Sequence, residues 1–189
     1  MTNLFRSRTD DELVAACNRD AGEEAAKAFS ELYRRYRDYV LRIALRFTDD
    51  REVAADALQE VFAYLLKQFP PPGTGLELRA RLTTYLYPIA KNTTLTLLRK
   101  ARRDRAPGVE PDELTAPEDP AAGEDDLDRL LRGLSPERRE ILGLRFIDGM
   151  SLDEIAEALG IPTGTVKSRL HHAIRELRDS QAAKEFFES

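Results

Sequence analysis

The stretch SLDEIAEALGIPTGTVKSRL, residues 151–170, reads as two short helices crossed at a tight turn. Ser151 and Glu154 have the Ser-x-x-Glu spacing of a capping box, which satisfies two orphan amides and starts a helix. Gly160 suits a turn that needs positive φ, and Thr163 opens the second helix. Ile155, Leu159, Ile161, Val166 and Leu170 supply the apolar contact between the two, with small Ala156 at their closest approach. The second helix carries Thr163, Thr165, Lys167, Ser168, Arg169, His171, His172 and Arg175. Hydroxyls, cations and imidazoles are the groups that reach phosphates and base edges in a DNA major groove. An ordinary helical hairpin with a polar outer face is the plainer alternative. The capping box, glycine turn and cationic second helix together favour a helix-turn-helix.

Outward from this motif the pattern stays helical. Upstream, Ser135-Pro136-Glu137 combines a cap residue, proline at the first helical position and an acid in the first turn. The helix it starts is expected to reach about Phe146, after a short one over 126–131. Nearer the N-terminus, Thr9 or Asp10 can cap a helix through Asn18. A longer helix is expected over 23–48, its apolar residues Phe29, Leu32, Tyr33, Tyr36, Val40, Ile43, Ala44 and Phe47 stepping by three and four. Another is expected over 51–69 with the stripe Leu58, Val61, Phe62, Leu65 and Leu66. A last one spans 78–104 with Leu82, Leu86, Ile89, Ala90, Leu97 and Leu98 inward, and Pro88 should kink or restart it. No run alternates with period two long enough for a strand. The fold class is all-α: two small helical domains joined by a flexible linker.

Charge marks the boundary. The 189 residues carry a net −5, with 42% hydrophobic and 33% charged residues. Nine acids and no base fall within 106–128, and the rest of the chain is left at +4. Residues 106–126 also hold four prolines and two glycines. Such a segment cannot bury enough apolar surface to offset its ordering entropy. It reads as an extended acidic linker between a domain over 1–105 and one over 127–180, with a tail over 181–189. Just before it, residues 91–105 carry six bases against one acid. Lys91, Asn92, Arg99, Arg102 and Arg103 there suit phosphate and base contacts, or simply a solvated helix end whose cations favour the dipole. Tyr85 and Tyr87, just upstream, suit either stacking on unpaired bases or burial in the core.

Several function classes are excluded. No apolar run approaches a membrane span, and Met1–Arg6 leads into charge, so no secretory signal is expected. One cysteine, Cys17, permits no internal disulfide and reads as a small buried side chain. No phosphate-binding glycine loop, metal-ligand set or nucleophile–base pair stands out, so neither cofactor nor enzymatic activity is expected. A soluble, cytoplasmic protein fits these features. In the helix over 51–69, Asp56, Gln59 and Glu60 form a polar stripe that by spacing alone is a solvated face.

Four blocks together resemble an extracytoplasmic-function (ECF) RNA polymerase sigma factor of the bacterial two-domain type. They are FSELYRRYRDYVLRIALRF (29–47), ADALQEVFAYLLKQF (55–69), YLYPIAKNTTLTLLRKARR (85–103) and LSPERREILGLRFIDGMSLDEIAEALGIPTGTVKSRLHHAIRELR (134–178). The resemblance implies an alternative sigma factor that directs promoter-specific initiation. Residues 1–105 would be sigma region 2, with Asp56, Gln59, Glu60 and Phe62 meeting the clamp helices of the polymerase β′ subunit. The loop 70–82 and the helix bearing Tyr85, Lys91, Asn92, Arg99, Arg102 and Arg103 would capture and melt the promoter's −10 element. Region 4, over 127–180, would read the −35 element through Thr163–Arg175 and dock on the β flap. The implied partners are core RNA polymerase, promoter DNA and an anti-sigma factor or other regulator, with no membrane. The chain departs from the family pattern in having Val53-Ala54-Ala55 where acids are usual, a Pro-Pro-Pro-Gly loop, Pro88 in place of a base and Tyr85 in place of Trp. Phosphorylation of Thr48 is a candidate way to restore negative charge near the depleted acids.

Overall fold

A computed structural model describes residues 4–19, 22–71, 73–105 and 134–179. The chain divides into two compact units, Met1–Pro120 and Ala121–Ser189. The expected linker, the short helix over 126–131 and the tail over 181–189 lie outside the described residues.

Among its described residues the first unit holds a 3-10 turn, Leu4–Ser7, and four helices: α1 (Asp10–Arg19), α2 (Glu23–Leu45), α3 (Arg51–Gln68) and α4 (Leu82–Arg105). Thr9 caps α1 reciprocally with Glu12: Thr9 N donates to Glu12 Oε2 at 2.7 Å and Glu12 N to Thr9 Oγ1 at 3.3 Å. The Asp50 carboxylate caps α3, accepting from Glu52 N and Val53 N at 3.0 and 3.3 Å. The helices pack α1 on α2, α2 on α3 and α4, and α3 on α4. Leu13, Leu32, Val40, Ile43, Val61, Leu65, Leu82 and Leu86 are fully buried between them. Each such side chain stabilises by about 1.5–3 kcal/mol against exposure, and together they define which helix faces remain outside.

Two cross-links set the frame. Phe62 of α3 meets Phe29 and Tyr33 of α2 edge-on, with ring centroids 6.3 and 4.8 Å apart. Between Phe29 and Tyr33 on α2, Glu31 is only 2% exposed. Its carboxylate accepts from Arg34 Nη2 at 2.7 Å and from Arg35 Nε at 2.9 Å. Arg35 in turn donates to Asp10 Oδ1 at 2.9 Å and to the Arg8 carbonyl at 2.7 Å, tying the N-terminal turn to α2. The Arg34 hydrogen bond outweighs burial and holds the Glu31 carboxyl down at about 2.

The second unit holds α5 (Pro136–Leu142), a π-helical turn (Gly143–Ile147), α6 (Leu152–Leu159) and α7 (Thr163–Asp179). Ser135 sits at the N-cap of α5 and Pro136 in its first turn, but the Ser135 side chain makes no capping hydrogen bond; its carbonyl accepts from Arg138 N and Arg139 N, each at 3.0 Å. The segment expected as one helix to Phe146 widens to π geometry at Gly143, where Asp148 N donates to Gly143 O at 3.0 Å. Ile141, Leu144, Met150, Ile155, Val166 and Ala173 are fully buried.

Some expectations are corrected. α4 begins at Leu82, not 78, because residues 73–81 run as a loop held against α1 and α3. Pro88 lies inside α4 without ending it. Leu66 is 53% exposed rather than part of the α3 core stripe. Leu65 and Phe69 take the inward positions on that end of the helix.

Candidate nucleic-acid and polymerase interface

In the second unit, Ser151 and Glu154 form the full capping box, at 3.2 Å from Glu154 N to Ser151 Oγ and 2.8 Å from Ser151 N to Glu154 Oε2. α6 ends at Gly160, whose φ is +64°. Gly160 N donates to Glu157 O at 3.2 Å and Ile161 N to Ala156 O at 3.0 Å. This is the Schellman arrangement, in which a left-handed glycine turns the chain sharply out of the helix. The Thr163 hydroxyl donates to Asp153 Oδ1 at 3.0 Å, linking the start of α7 to α6. Arg138 and Glu176 pair between α5 and α7.

These links fix the rotation of α7. Val166 and Ala173 turn fully inward, with Leu170 and Leu177 partly buried beside Ala173. Lys167, Ser168, His171, His172 and Arg175 therefore lie exposed on one continuous stripe. Thr163, Thr165 and Arg169 flank it, half-buried. The imidazoles of His171 and His172 stand edge-on, 5.8 Å apart, and Arg175 leans to Asp179 at 3.8 Å. The eight residues expected on this face thus separate into a solvent-facing five and a flanking three.

In the first unit, helical geometry sorts the basic helix. At about 100° per residue, Tyr85, Asn92, Arg99 and Arg103 fall in one narrow strip along α4. Asn92, Arg99 and Arg103 are exposed, and Tyr85 is half-buried. Among the described residues, Arg99 and Arg103 have no carboxylate partner. Lys91 and Arg102 stand about a quarter-turn round. Lys91 Nζ lies 5.7 Å from the Phe47 ring centroid, a cation–π contact with the end of α2. Burial pushes the Tyr85 phenol up to about 12, with a smaller contribution from Tyr64. Tyr87 is 1% exposed and belongs to the core, so the stacking alternative is excluded for that residue.

The loop before α4 is tightly held. Asn18 pairs with the Leu76 backbone in both directions, Nδ2 to Leu76 O and Leu76 N to Oδ1, each at 2.8 Å. Gly73 N donates to Phe69 O and Gly75 N to Gln68 O, both at 3.0 Å. Sequence reasoning assigned Asn18 only to the end of α1, since nothing local marks a partner 58 residues away.

On α3, Asp56, Gln59 and Glu60 are all exposed on one stripe. Phe62 is not: at 5% exposure its ring fills the α2–α3 seam, so it supports the surface and does not form it. Thr48 is also corrected. It is 3% exposed, and its Oγ1 accepts from Asp50 N at 3.1 Å. A kinase would find no accessible hydroxyl there. Cys17 is 2% exposed, and burial pushes its thiol up to about 11, which keeps it protonated and inert. No helix of the described residues is long and apolar enough to cross a membrane.

Comparison with known proteins places the chain in a family. A model described as sigma-70 region 2 matches residues 32–104, and one described as sigma-70 region 4 matches residues 124–177. The chain is 35% identical over 172 residues to the ECF RNA polymerase sigma factor SigL of Mycobacterium tuberculosis, spanning 85% of this chain and 93% of SigL. It is 33% identical over 171 residues to the ECF RNA polymerase sigma factor SigE of Mycolicibacterium smegmatis, spanning 84% of this chain but only 63% of SigE. The fold is shared with the sigma factor RpoE solved in complex with the anti-sigma factor NepR from Bartonella quintana. That match has a TM-score of 0.59 at 21% identity and covers 81% of this chain and 96% of RpoE. CnrH, solved with the cytosolic domain of CnrY, matches with a TM-score of 0.57 at 23% identity, covering 90% of this chain and 99% of CnrH.

Proposed function

The chain belongs to the ECF group of RNA polymerase sigma factors, and from that membership we propose how its residues divide the work. It is an alternative sigma factor: a transcription initiation factor, not an enzyme, that directs promoter-specific initiation by RNA polymerase.

Lys167, Ser168, His171, His172 and Arg175 read the −35 duplex, with Thr163, Thr165 and Arg169 at the edges of the contact. The carrying observation is the single exposed stripe on α7, backed by a buried Val166–Ala173 side. An α-helix with one polar, cationic face held clear of its core is the shape a major groove admits. Asn92, Arg99 and Arg103 contact the melted −10 strand, with Lys91 and Arg102 on the flanking phosphates. Their arrangement along α4 supports this, because a strip of cations follows a backbone. Asp56, Gln59 and Glu60 meet the β′ clamp helices, and region 4 docks on the β flap. Region 2 occupies 1–105 and region 4 occupies 127–180, joined by the acidic stretch 106–126. The protein acts in the cytoplasm, where its polymerase resides, and an anti-sigma factor is its proposed regulator.

The test is run-off transcription with purified bacterial core polymerase on fragmented genomic DNA of the host. New start sites sharing two spaced elements are expected. Lys167→Ala should weaken −35-dependent starts and lower the salt slope of DNA binding by about one, with core binding unchanged. Lost core binding in that variant would refute the division between the two units.

A further inference from the structure

The seam between α5 and α7 opens into a cleft lined by Arg138 of α5 and by His172, Arg175, Glu176 and Asp179 of α7. Arg138 has no part in the functional assignments above. At about 100° per residue, Asp179 falls about 20° from His172 along α7, and Glu176 about 40°. The cleft therefore continues the exposed stripe of Ser168, His171, His172 and Arg175 towards the end of the helix.

The charges of this cleft are matched except at one residue. Arg138 pairs with Glu176, and Arg175 Nε stands 3.8 Å from Asp179 Oδ2. Two arginines against two carboxylates leave no net charge. Among the described residues, His172 pairs with no carboxylate; its ring contact is with His171, 5.8 Å away. His171 is exposed on the stripe and does not line the cleft. Histidine is the side chain whose charge ordinarily changes between pH 5 and 8. The sign of the cleft therefore turns on His172: the neutral imidazole leaves it balanced, and the imidazolium gives it one net positive charge.

We propose that this cleft seats one backbone phosphate of the −35 duplex, held by Arg138, His172 and Arg175, and that His172 takes up a proton from solvent as the phosphate arrives. With His172 neutral, Glu176 and Asp179 offset the pull of the two arginines. With His172 charged, the phosphate meets a surplus cation. Coupling between two bound species is reciprocal, so a phosphate that favours the imidazolium makes promoter affinity fall as pH rises. Arg138 brings a contact from α5 to a face otherwise built on α7 alone. The inference rests on the −35 role proposed for α7.

The experiment measures binding of the full chain with core polymerase to a promoter fragment found by run-off, at pH 6 and pH 8 over a range of salt. Affinities are expressed relative to His172→Gln, which cannot titrate; this removes whatever core polymerase contributes to the pH dependence. The wild-type ratio should be about 10-fold higher at pH 6 than at pH 8, the low end for one hydrogen bond to a charged group. Its salt slope at pH 6 should be steeper by about 0.9, the mark of one more neutralised phosphate. His172→Arg should hold a single high ratio at both pH values. His171→Gln should keep the pH step, whatever its overall affinity. Arg138→Gln should lose most of the step, because Glu176 is then released to the imidazolium, and thermal melting checks that this variant folds. Equal wild-type ratios at the two pH values would overturn the seat. So would a step that vanishes in His171→Gln, a step without a change in salt slope, or a folded Arg138→Gln chain that keeps the whole step. A wild-type chain that starts no promoter at all would instead bring down the sigma reading, and the seat with it.

Discussion

Gly73→Ala is expected to release the loop before α4 without harming the rest of the bundle. A β-carbon at this position would lie 2.1 Å from the Gln68 carbonyl oxygen and 2.5 Å from that of Lys67. Ordinary carbon contacts begin near about 3.5 Å, so the two backbones must part by more than about 1 Å. Both partners are main chain, so no side-chain rotation can absorb the clash. Parting them breaks the Gly73–Phe69 and Gly75–Gln68 hydrogen bonds, each 3.0 Å long. At about 1 kcal/mol apiece, the local cost is about 2 kcal/mol. The readout is amide hydrogen exchange at Gly75 and Leu76, which should quicken by about 30-fold, the equivalent of that free energy. Leu76 is the more telling probe, because its amide is bonded to Asn18 and not to α3. Acceleration there means that the whole loop has lifted. Transcription from promoters dependent on the −10 element should fall, while −35 binding stays constant. Unchanged exchange at Leu76 would refute the reasoning, showing that the backbone accommodates alanine by a smaller shift than the clash demands.

Other substitutions separate support from surface. Gly160→Ala should destabilise the second unit by about 1–2 kcal/mol, because φ of +64° is left-handed while the surrounding space is open. Gly164→Ala, four residues on and equally open, should leave stability level or slightly raised. Exchange at the Ile155 and Val166 amides reads both, and equal effects would contradict the backbone explanation. Phe62→Ala should cost about 3–5 kcal/mol of stability, seen in thermal melting, whereas Gln59→Ala should lower polymerase affinity at constant melting temperature. The reverse pattern would put the α3 interface on the wrong face. Glu31 is held ionised by Arg34, its carboxyl lowered from 4.5 to about 2. The stability it contributes is present above about pH 4.5 and is lost as pH falls towards 2. Acid unfolding followed by circular dichroism should therefore lose part of its pH dependence in Glu31→Gln, and an unchanged profile would show that the clasp contributes nothing.

Much of this protein was decided by local chemistry and so could be read from residues alone. The capping box at Ser151, the Gly160 turn and the Thr163 start concern backbone groups within four residues of one another, and they hold in the structure. So do the Thr9 cap and the charge pattern that leaves α4 basic. The all-α class follows from apolar residues recurring every three to four positions. What the sequence could not decide was rotation. Periodicity already put Phe62 on the apolar stripe, away from Asp56, Gln59 and Glu60, but only its packing against Phe29 and Tyr33 shows that it supports the α3 surface and does not form it. Thr48 looks like any threonine before a helix until the Asp50 amide closes over its hydroxyl. Tyr87 is core and Tyr85 half-buried because two residues on a helix differ by about 200°, and only the neighbouring helices say which side is wet. The Asn18–Leu76 pairing joins segments distant in the chain. Such contacts carry no local signature, because their free energy comes from two surfaces that only the tertiary fold brings together.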